Sequence, residues 1–232
     1  SSDVCSSDLA ANTAFGMAMV VVPDITGDGK SDLVVGAPGT SSNKGAVYVY
    51  AGTGVSVALP LLPTVSISVD ATASAMALGV SLAYIPDLTI DTDTLPELLV
   101  GAPATSTTAQ TNAGAVYLLN SGDLTSSTYS VLNSDCSLAG ETGHTALGAT
   151  LFSREDVTGD SVKDVIIGAP GTVGPTPSPS SIIGAVYAWD HTDIDDSCSA
   201  VEVGSYATLY GGTGGTNFGW SFGVESGADK FM

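Results

Sequence analysis

"FGMAMVVVPDITGDGKSDLVVGAPGTSSNKGAVYVY", residues 15–50, sets out an ordered pattern: a Phe-Gly opening, an acidic loop, a β-branched run ending in Gly-Ala-Pro, and a second run opened by Gly-Ala-Val. The same order returns in "LGVSLAYIPDLTIDTDTLPELLVGAPATSTTAQTNAGAVYLL" (78–119) and in "LGATLFSREDVTGDSVKDVIIGAPGTVGPTPSPSSIIGAVYAW" (147–189), and a fourth opening, "FGWSFG", stands at 218–223. The openings at 15, 78, 147 and 218 lie 63, 69 and 71 residues apart. That period is too long for helix-pair repeats and suits a four-stranded unit with loops.

Within each copy the strands can be read from the side chains. The opening leads into a strand that ends at Asp24, Asp87 or Asp156, nine residues on in every copy. "DLVVGAP", "ELLVGAP" and "DVIIGAP" are continuous apolar runs, which suit a strand buried on both faces. "GAVYVY", "GAVYLL" and "GAVYAW" give a third strand. The connections "GTSSNK", "ATSTTAQTNA" and "GTVGPTPSPSSII" are rich in Ser, Thr, Gly and Pro and read as surface loops. A looser fourth strand is expected at "TVSISV" (64–69), "TYSVL" (128–132) and "SYATLY" (205–210). Four antiparallel strands per repeat make a propeller blade. The expected organisation is a first blade at 10–77, a second at 78–146, a third at 147–217 and the start of a fourth at 218–232. Residues 1–9, "SSDVCSSDL", resemble a translated sequencing-adapter oligonucleotide and are set aside. A natural signal peptide would then lie upstream of the sequence shown.

These motifs resemble the FG-GAP repeats of the integrin alpha-subunit propeller and of related bacterial surface proteins. The resemblance rests on Phe15-Gly16, Gly36-Ala37-Pro38 and Gly45-Ala46-Val47-Tyr48 with their counterparts, and it covers nearly everything from residue 15 onward. It implies an all-β fragment of a seven-bladed, extracellular β-propeller. It also implies calcium loops between the first and second strands of several blades, with ligand or subunit contacts on the opposite face.

The acidic loops have the chemistry for that cation. Ca²⁺ takes six to eight oxygen ligands, and a short loop supplies them when alternate side chains turn inward and a backbone carbonyl fills a gap. In "DITGDGKSD" the expected ligands are the side chains of Asp24, Thr26, Asp28 and Asp32 and the carbonyl of Lys30, with Gly29 at the sharp turn. An EF-hand would need a glutamate at the twelfth position and flanking helices, whereas here a strand follows at once. A metal-free Asp-Gly hairpin turn is the competing reading. "DVTGDSVKD" repeats the set with Asp156, Thr158, Asp160, Asp164 and the Val162 carbonyl, but Ser161 replaces the glycine. "DLTIDTDTLPE" keeps Asp87, Thr89 and Asp91 in step and then gains two residues before Glu97. Either Asp93 and the longer glutamate arm restore the ligand shell, or the site is lost. Two or three Ca²⁺ sites are therefore expected, the first loop being the best formed and the second the most altered.

Charge and composition narrow the partners. With 24 acidic residues against 5 basic and a net charge of −19, the chain should repel nucleic acid and anionic membranes, since phosphate recognition needs clustered Lys and Arg. The most apolar stretch, "VSVALPLLPTVSISV" (55–69), is interrupted by Pro60 and Pro63 and is too short to span a bilayer. Setting Cys5 aside leaves Cys136 and Cys198, which could form one disulfide in an oxidising compartment.

No catalytic group is expected. "GWSFG" (219–223) matches a nucleophile elbow, but Ser221 aligns with Ala18, Ser81 and Thr150, so the position calls for a small residue at a strand start. His144 and His191 stand in loops without a second ligand at zinc spacing. Tyr48, Tyr117 and Tyr187 keep one place in the third strand, which favours packing between blades over a ligand-stacking platform.

The expected function is calcium-dependent adhesion or recognition at the cell surface. The partners would be a protein or glycan ligand and the remaining blades of the same propeller, with neither nucleic acid nor direct membrane insertion. The alternative is an accessory propeller of a secreted phospholipase or polysaccharide-degrading enzyme whose catalytic domain lies outside this chain.

Overall fold

A computed structural model of the 232-residue chain describes residues 12–52, 62–86, 94–134, 136–140, 143, 145–153, 156–157, 159, 163–173, 182–189, 207–212 and 217–222. The fold is all-β, and the described residues form three sheets. The first is formed by β1 (Met19–Val22), β2 (Asp32–Gly36), β3 (Ala46–Tyr50) and β4 (Val65–Ser68), each antiparallel to the next. The second holds β5 (Leu82–Ile85), β6 (Glu97–Ala102), β7 (Ala115–Leu119) and β9 (Cys136–Ala139). The third holds β10 (Thr150–Phe152), β11 (Val165–Ala169), β12 (Ala185–Trp189) and β13 (Ala207–Tyr210).

Alternation of side chains along the strands stacks these sheets face to face. In β6, Leu98, Val100 and Ala102 join Val34, Val47, Val49 and Ile67 in a core between the first and second sheets. Leu99, one residue out of step, points to the other face and joins Val165, Ile167 and Trp189 in a core between the second and third. Strand period two thus explains why the run "ELLVGA" is apolar throughout: all six residues are buried, on alternating faces. The repeated tyrosines follow the same rule. Tyr117 lies in the first core and Tyr187 in the second, where it stacks on Trp189 at a centroid distance of 6.0 Å. Tyr48, on the outer face of the first sheet, meets Phe15 at 5.9 Å.

Burial pushes the Tyr117 and Tyr187 phenols above the ordinary tyrosine range, with Tyr210 adding to the effect at Tyr187 and hydrogen bonds to Thr105 and Thr172 opposing it. Both phenols are neutral when buried, so their contribution to stability is present below the unfolded-state value of about 10 and is lost as pH climbs toward the raised folded values. Alkaline titration of tyrosinate absorbance should show these two ionising only together with loss of the near-ultraviolet circular dichroism signal. A smooth titration without unfolding would contradict their burial.

A joint repeats between sheets and explains the glycines of the motifs. Gly79 packs on Gly36, Gly148 on Gly101 and Gly219 on Gly168, so closely that a Cβ on Gly36, Gly101 or Gly168 would fall under 3.0 Å from the carbonyl oxygen of its partner. Beside each contact, a parallel bridge ties the Gly-Ala-Val glycine to the next opening: Gly45 to Leu78, Gly114 to Leu147, Gly184 to Phe218. Leu78, Leu147 and Phe218 donate their N–H groups to Lys44 O, Ala113 O and Ile183 O at 3.0, 3.1 and 3.3 Å. The opening of each repeat is therefore the docking piece for the Gly-Ala-Pro and Gly-Ala-Val strands of the repeat before it.

One strand lies elsewhere than the sequence suggests. "TYSVL" was expected to complete the second blade, but β8 (Thr128–Ser130) pairs in parallel with β4 as a fifth strand of the first sheet. The fourth strand of the second sheet is β9, whose buried Cys136 and Leu138 face the third sheet. The segment after β7 thus reaches back and covers the open edge of β4, where unpaired backbone groups would otherwise invite association. Ser66 N donates to Ser127 O at 2.9 Å, Ser130 Oγ donates to Asp70 Oδ1 at 2.9 Å, and Val131 is buried in the first core. Val131→Ala should cost roughly 2 kcal/mol and speed amide exchange across Val65–Ser68, although it lies in the second repeat. Unchanged exchange there would mean the strap carries no stability.

Cys136 is disulfide-bonded, and the other cysteines lie outside the described residues. Among the described residues no helix is long and apolar enough to cross a membrane.

Candidate metal loops

The first acidic loop joins β1 to β2, and the pairing of Val22 with Asp32 closes its base. Asp32 is 1% exposed and its carboxylate is occupied by the backbone. Oδ2 accepts Ile25 N and Thr26 N, both at 2.9 Å, and Oδ1 accepts Gly52 N at 2.8 Å from beyond β3. Asp24 accepts Asp28 N on Oδ1 at 2.9 Å and Gly29 N on Oδ2 at 2.8 Å. Asp28 accepts Lys30 N at 2.9 Å and lies 3.7 Å from the Lys30 ammonium. Gly29 holds φ +81°, as the sharp turn required. These bonds organise the loop around its own N–H groups, because every carboxylate has donors within reach and no helix competes for them.

The donor set fits a hard cation. Carboxylates, a hydroxyl and carbonyl oxygens are all present, each oxygen of Asp24 keeps a second lone pair beyond its N–H bond, and Thr26 Oγ1 is buried with no hydrogen-bond partner. The side chains are nevertheless not gathered: among the described residues no three Asp, Glu, His or Cys groups converge closely enough to hold a metal ion. Coordination would require Asp24 and Asp28, at the outer rim of the loop, to turn inward while Asp32 stays on its backbone donors.

The other two loops show the same base. Asp164 is fully buried and accepts Val157 N at 2.6 Å, matching Asp32 on Ile25 N. Asp156 accepts Gly159 N at 2.5 Å and is exposed. Glu97 is fully buried and pairs with Ile85 as Asp32 pairs with Val22, so the longer loop reaches the same register. Asp87, Thr89, Asp91 and Asp93 of the second loop, and Thr158, Asp160 and Val162 of the third, lie outside the described residues, as do His144 and His191.

Sequence reasoning gave Asp32 and Asp164 a metal-facing role and missed their backbone role. A signal was available, since Asp32 opens β2 and Asp164 immediately precedes β11, at the strand end of the loop rather than within it. The small-residue position that Ser221 shares has a role at the joint: Ser81 Oγ donates to Gly148 O at 2.7 Å and Thr150 Oγ1 to Trp220 O at 2.5 Å.

Comparison with known proteins agrees with this architecture. The FG-GAP repeat profile matches residues 15–50. Phosphatidylinositol-glycan-specific phospholipase D of Bos taurus is 33% identical over 172 residues, 70% of this chain and 19% of the relative, and its Homo sapiens counterpart is 33% identical over 158 residues, 65% and 18%. Integrin alpha-M of Mus musculus is 35% identical over 88 residues, 38% of this chain and 8% of the relative. The chain thus spans a fifth or less of the length of each of these relatives. With the profile on its first sheet and the same joint repeated along the rest, the chain carries an FG-GAP repeat and is similar to proteins of the integrin-like propeller kind.

Proposed function

We propose that this chain is a calcium-binding segment of an FG-GAP β-propeller that works outside the cell or at its surface, in adhesion or recognition. The observation that carries the reading is the first loop: carboxylates with spare lone pairs, a buried hydroxyl oxygen without a partner and a turn glycine, all at the hairpin end of a blade. The net charge of −19 adds to the attraction for a divalent cation, and the disulfide at Cys136 suits an oxidising compartment. The ligand is a protein or glycan bound by surface loops, and the chain itself carries no catalysis. Isothermal calorimetry should register Ca²⁺ binding that Asp28→Ala and Asp160→Ala each weaken at least about tenfold, a loss of about 1.4 kcal/mol per site. Equal heats in wild type and both variants would sink the reading.

A second reading is favoured by one observation. The phospholipase D relatives match 70% and 65% of this chain against 38% for integrin alpha-M. On that reading the propeller is an accessory module of a secreted hydrolase whose catalytic domain lies outside this sequence, and its own chemistry is still binding.

A further inference from the structure

The tip of the first acidic loop carries a reactive dipeptide. Asp28-Gly29 is the one Asp-Gly pair in the chain, which has no Asn-Gly pair, and in the third loop Ser161 follows the corresponding Asp160. An amide of glycine has no side chain to shield it, and here a Cβ on Gly29 would meet nothing within 4 Å. Residues 27–30 are all exposed. The Asp28 carboxyl is bent back on the chain: its Oδ1 accepts Lys30 N at 2.9 Å, which folds it over the Gly29 amide between them. Gly29 N itself donates to Asp24 Oδ2 at 2.8 Å. Nucleophile, electrophile and proton acceptor thus stand together at the loop tip.

We infer that Asp28-Gly29 is a self-modification site, at which the metal-free loop converts Asp28 to isoaspartate. Gly29 N bonds to Cγ of Asp28, which reacts as the neutral acid. The amide proton passes to Asp24 Oδ2 and on to the departing hydroxyl, which leaves as water, and the product is a cyclic imide. Lys30 N and the Lys30 ammonium, 3.7 Å from Asp28 Oδ2, offset the negative charge that gathers on the carboxyl oxygens during attack. Water then opens the imide at either carbonyl. Attack at Cγ restores aspartate. Attack at the former main-chain carbonyl leaves the backbone running through Cβ and Cγ, one methylene longer, with a carboxylate directly on Cα. Water is the only co-reactant. The longer backbone breaks the spacing of Asp24, Asp28 and Asp32, and the carboxylate loses the methylene that carried it toward a cation.

The cation gates the reaction. On the calcium-binding reading, on which this part of the inference rests, Asp24 and Asp28 turn inward to the ion. Asp24 then leaves the Gly29 proton, and the Asp28 carboxylate, tied to the metal, cannot release an oxygen. The loop therefore ages only while metal-free.

The test incubates the full chain in chelator, in Ca²⁺ and in urea with chelator. Isoaspartate is counted by methyl transfer from S-adenosylmethionine, catalysed by a protein isoaspartyl methyltransferase, and located by peptide mapping. Label should accrue at residue 28 at least about threefold faster in chelator than in urea, because the folded loop holds the reacting atoms together. Asp24→Asn should remove that advantage and run at the urea rate. Asp28→Glu, whose longer arm cannot close the same ring, should stay unlabelled. Labelling in chelator no faster than in urea overturns the inference, as does an unaltered rate in Asp24→Asn. Should Asp24→Asn fail to fold, the two wild-type rates decide alone. Ca²⁺ should slow labelling at least about tenfold. Calorimetry on the unmodified chain keeps the two readings apart: Ca²⁺ heat without protection overturns the gating, whereas absence of heat sinks the calcium reading and leaves the rates in chelator and urea to decide the modification.

Discussion

Gly114→Ala should lower the melting temperature of this chain by roughly 10 °C. Gly114 has φ +83°, and a Cβ there would fall under 3.0 Å from the backbone N, O and Cα of Leu147, the opening residue of the third repeat. Two penalties add. The left-handed backbone disfavours a side chain by about 1–2 kcal/mol, and overpacking against backbone that cannot rotate away costs about 1–3 kcal/mol. Their sum, about 2–5 kcal/mol, brackets the stated shift for a chain of this length. Gly16→Ala separates the two terms, because φ is +85° but nothing lies within 4 Å. It should cost only about 1 kcal/mol. Gly212→Ala, with neither constraint, should be nearly silent. Thermal melts of the three variants check the order, and equal shifts for Gly114→Ala and Gly16→Ala would show that the joint does not bear on stability.

Asp32→Ala should destabilise the first blade by about 3 kcal/mol or more, whether or not calcium is present. Its carboxylate holds Ile25 N, Thr26 N and Gly52 N at 2.8–2.9 Å. Removing it strands three donors, of which Ile25 is fully buried, and each unsatisfied buried group costs about 1–3 kcal/mol. Asp28→Ala is the contrast. Asp28 is exposed, accepts one N–H and makes a surface ion pair worth about 0–1 kcal/mol. Its loss should barely move the denaturation midpoint in chelator and should remove the calcium-dependent part. Urea titrations of both variants with Ca²⁺ and with chelator give four midpoints. If Asp32→Ala were silent in chelator, the buried carboxylate would serve the cation alone and its backbone role would be wrong.

Both results turn on residues whose type was legible in the sequence and whose partners were not. The spacing of Asp24, Asp28 and Asp32 raises the expectation of a hard-cation loop, because oxygen donors at those intervals can converge in a tight turn. That Asp32 would be taken up by backbone donors depends on Gly52, twenty residues away, coming back past β3 to meet it. Likewise "TYSVL" and "CSLA" are both short alternating segments with equal claim to the edge of β7. The contest is decided by where their side chains can be buried: Cys136 and Leu138 against the third sheet, Tyr129 and Val131 against the first.

The sequence by itself determined the repeat, the order of the first three strands within each blade, the place of the acidic loops and the burial of Tyr117 and Tyr187 between sheets. These are properties of period and side-chain alternation, which a strand carries locally wherever it lies. Only the tertiary structure decided that the motif glycines are joints between blades and that β8 straps the first sheet. Each depends on how closely two backbones distant in sequence approach, and no local pattern encodes that distance.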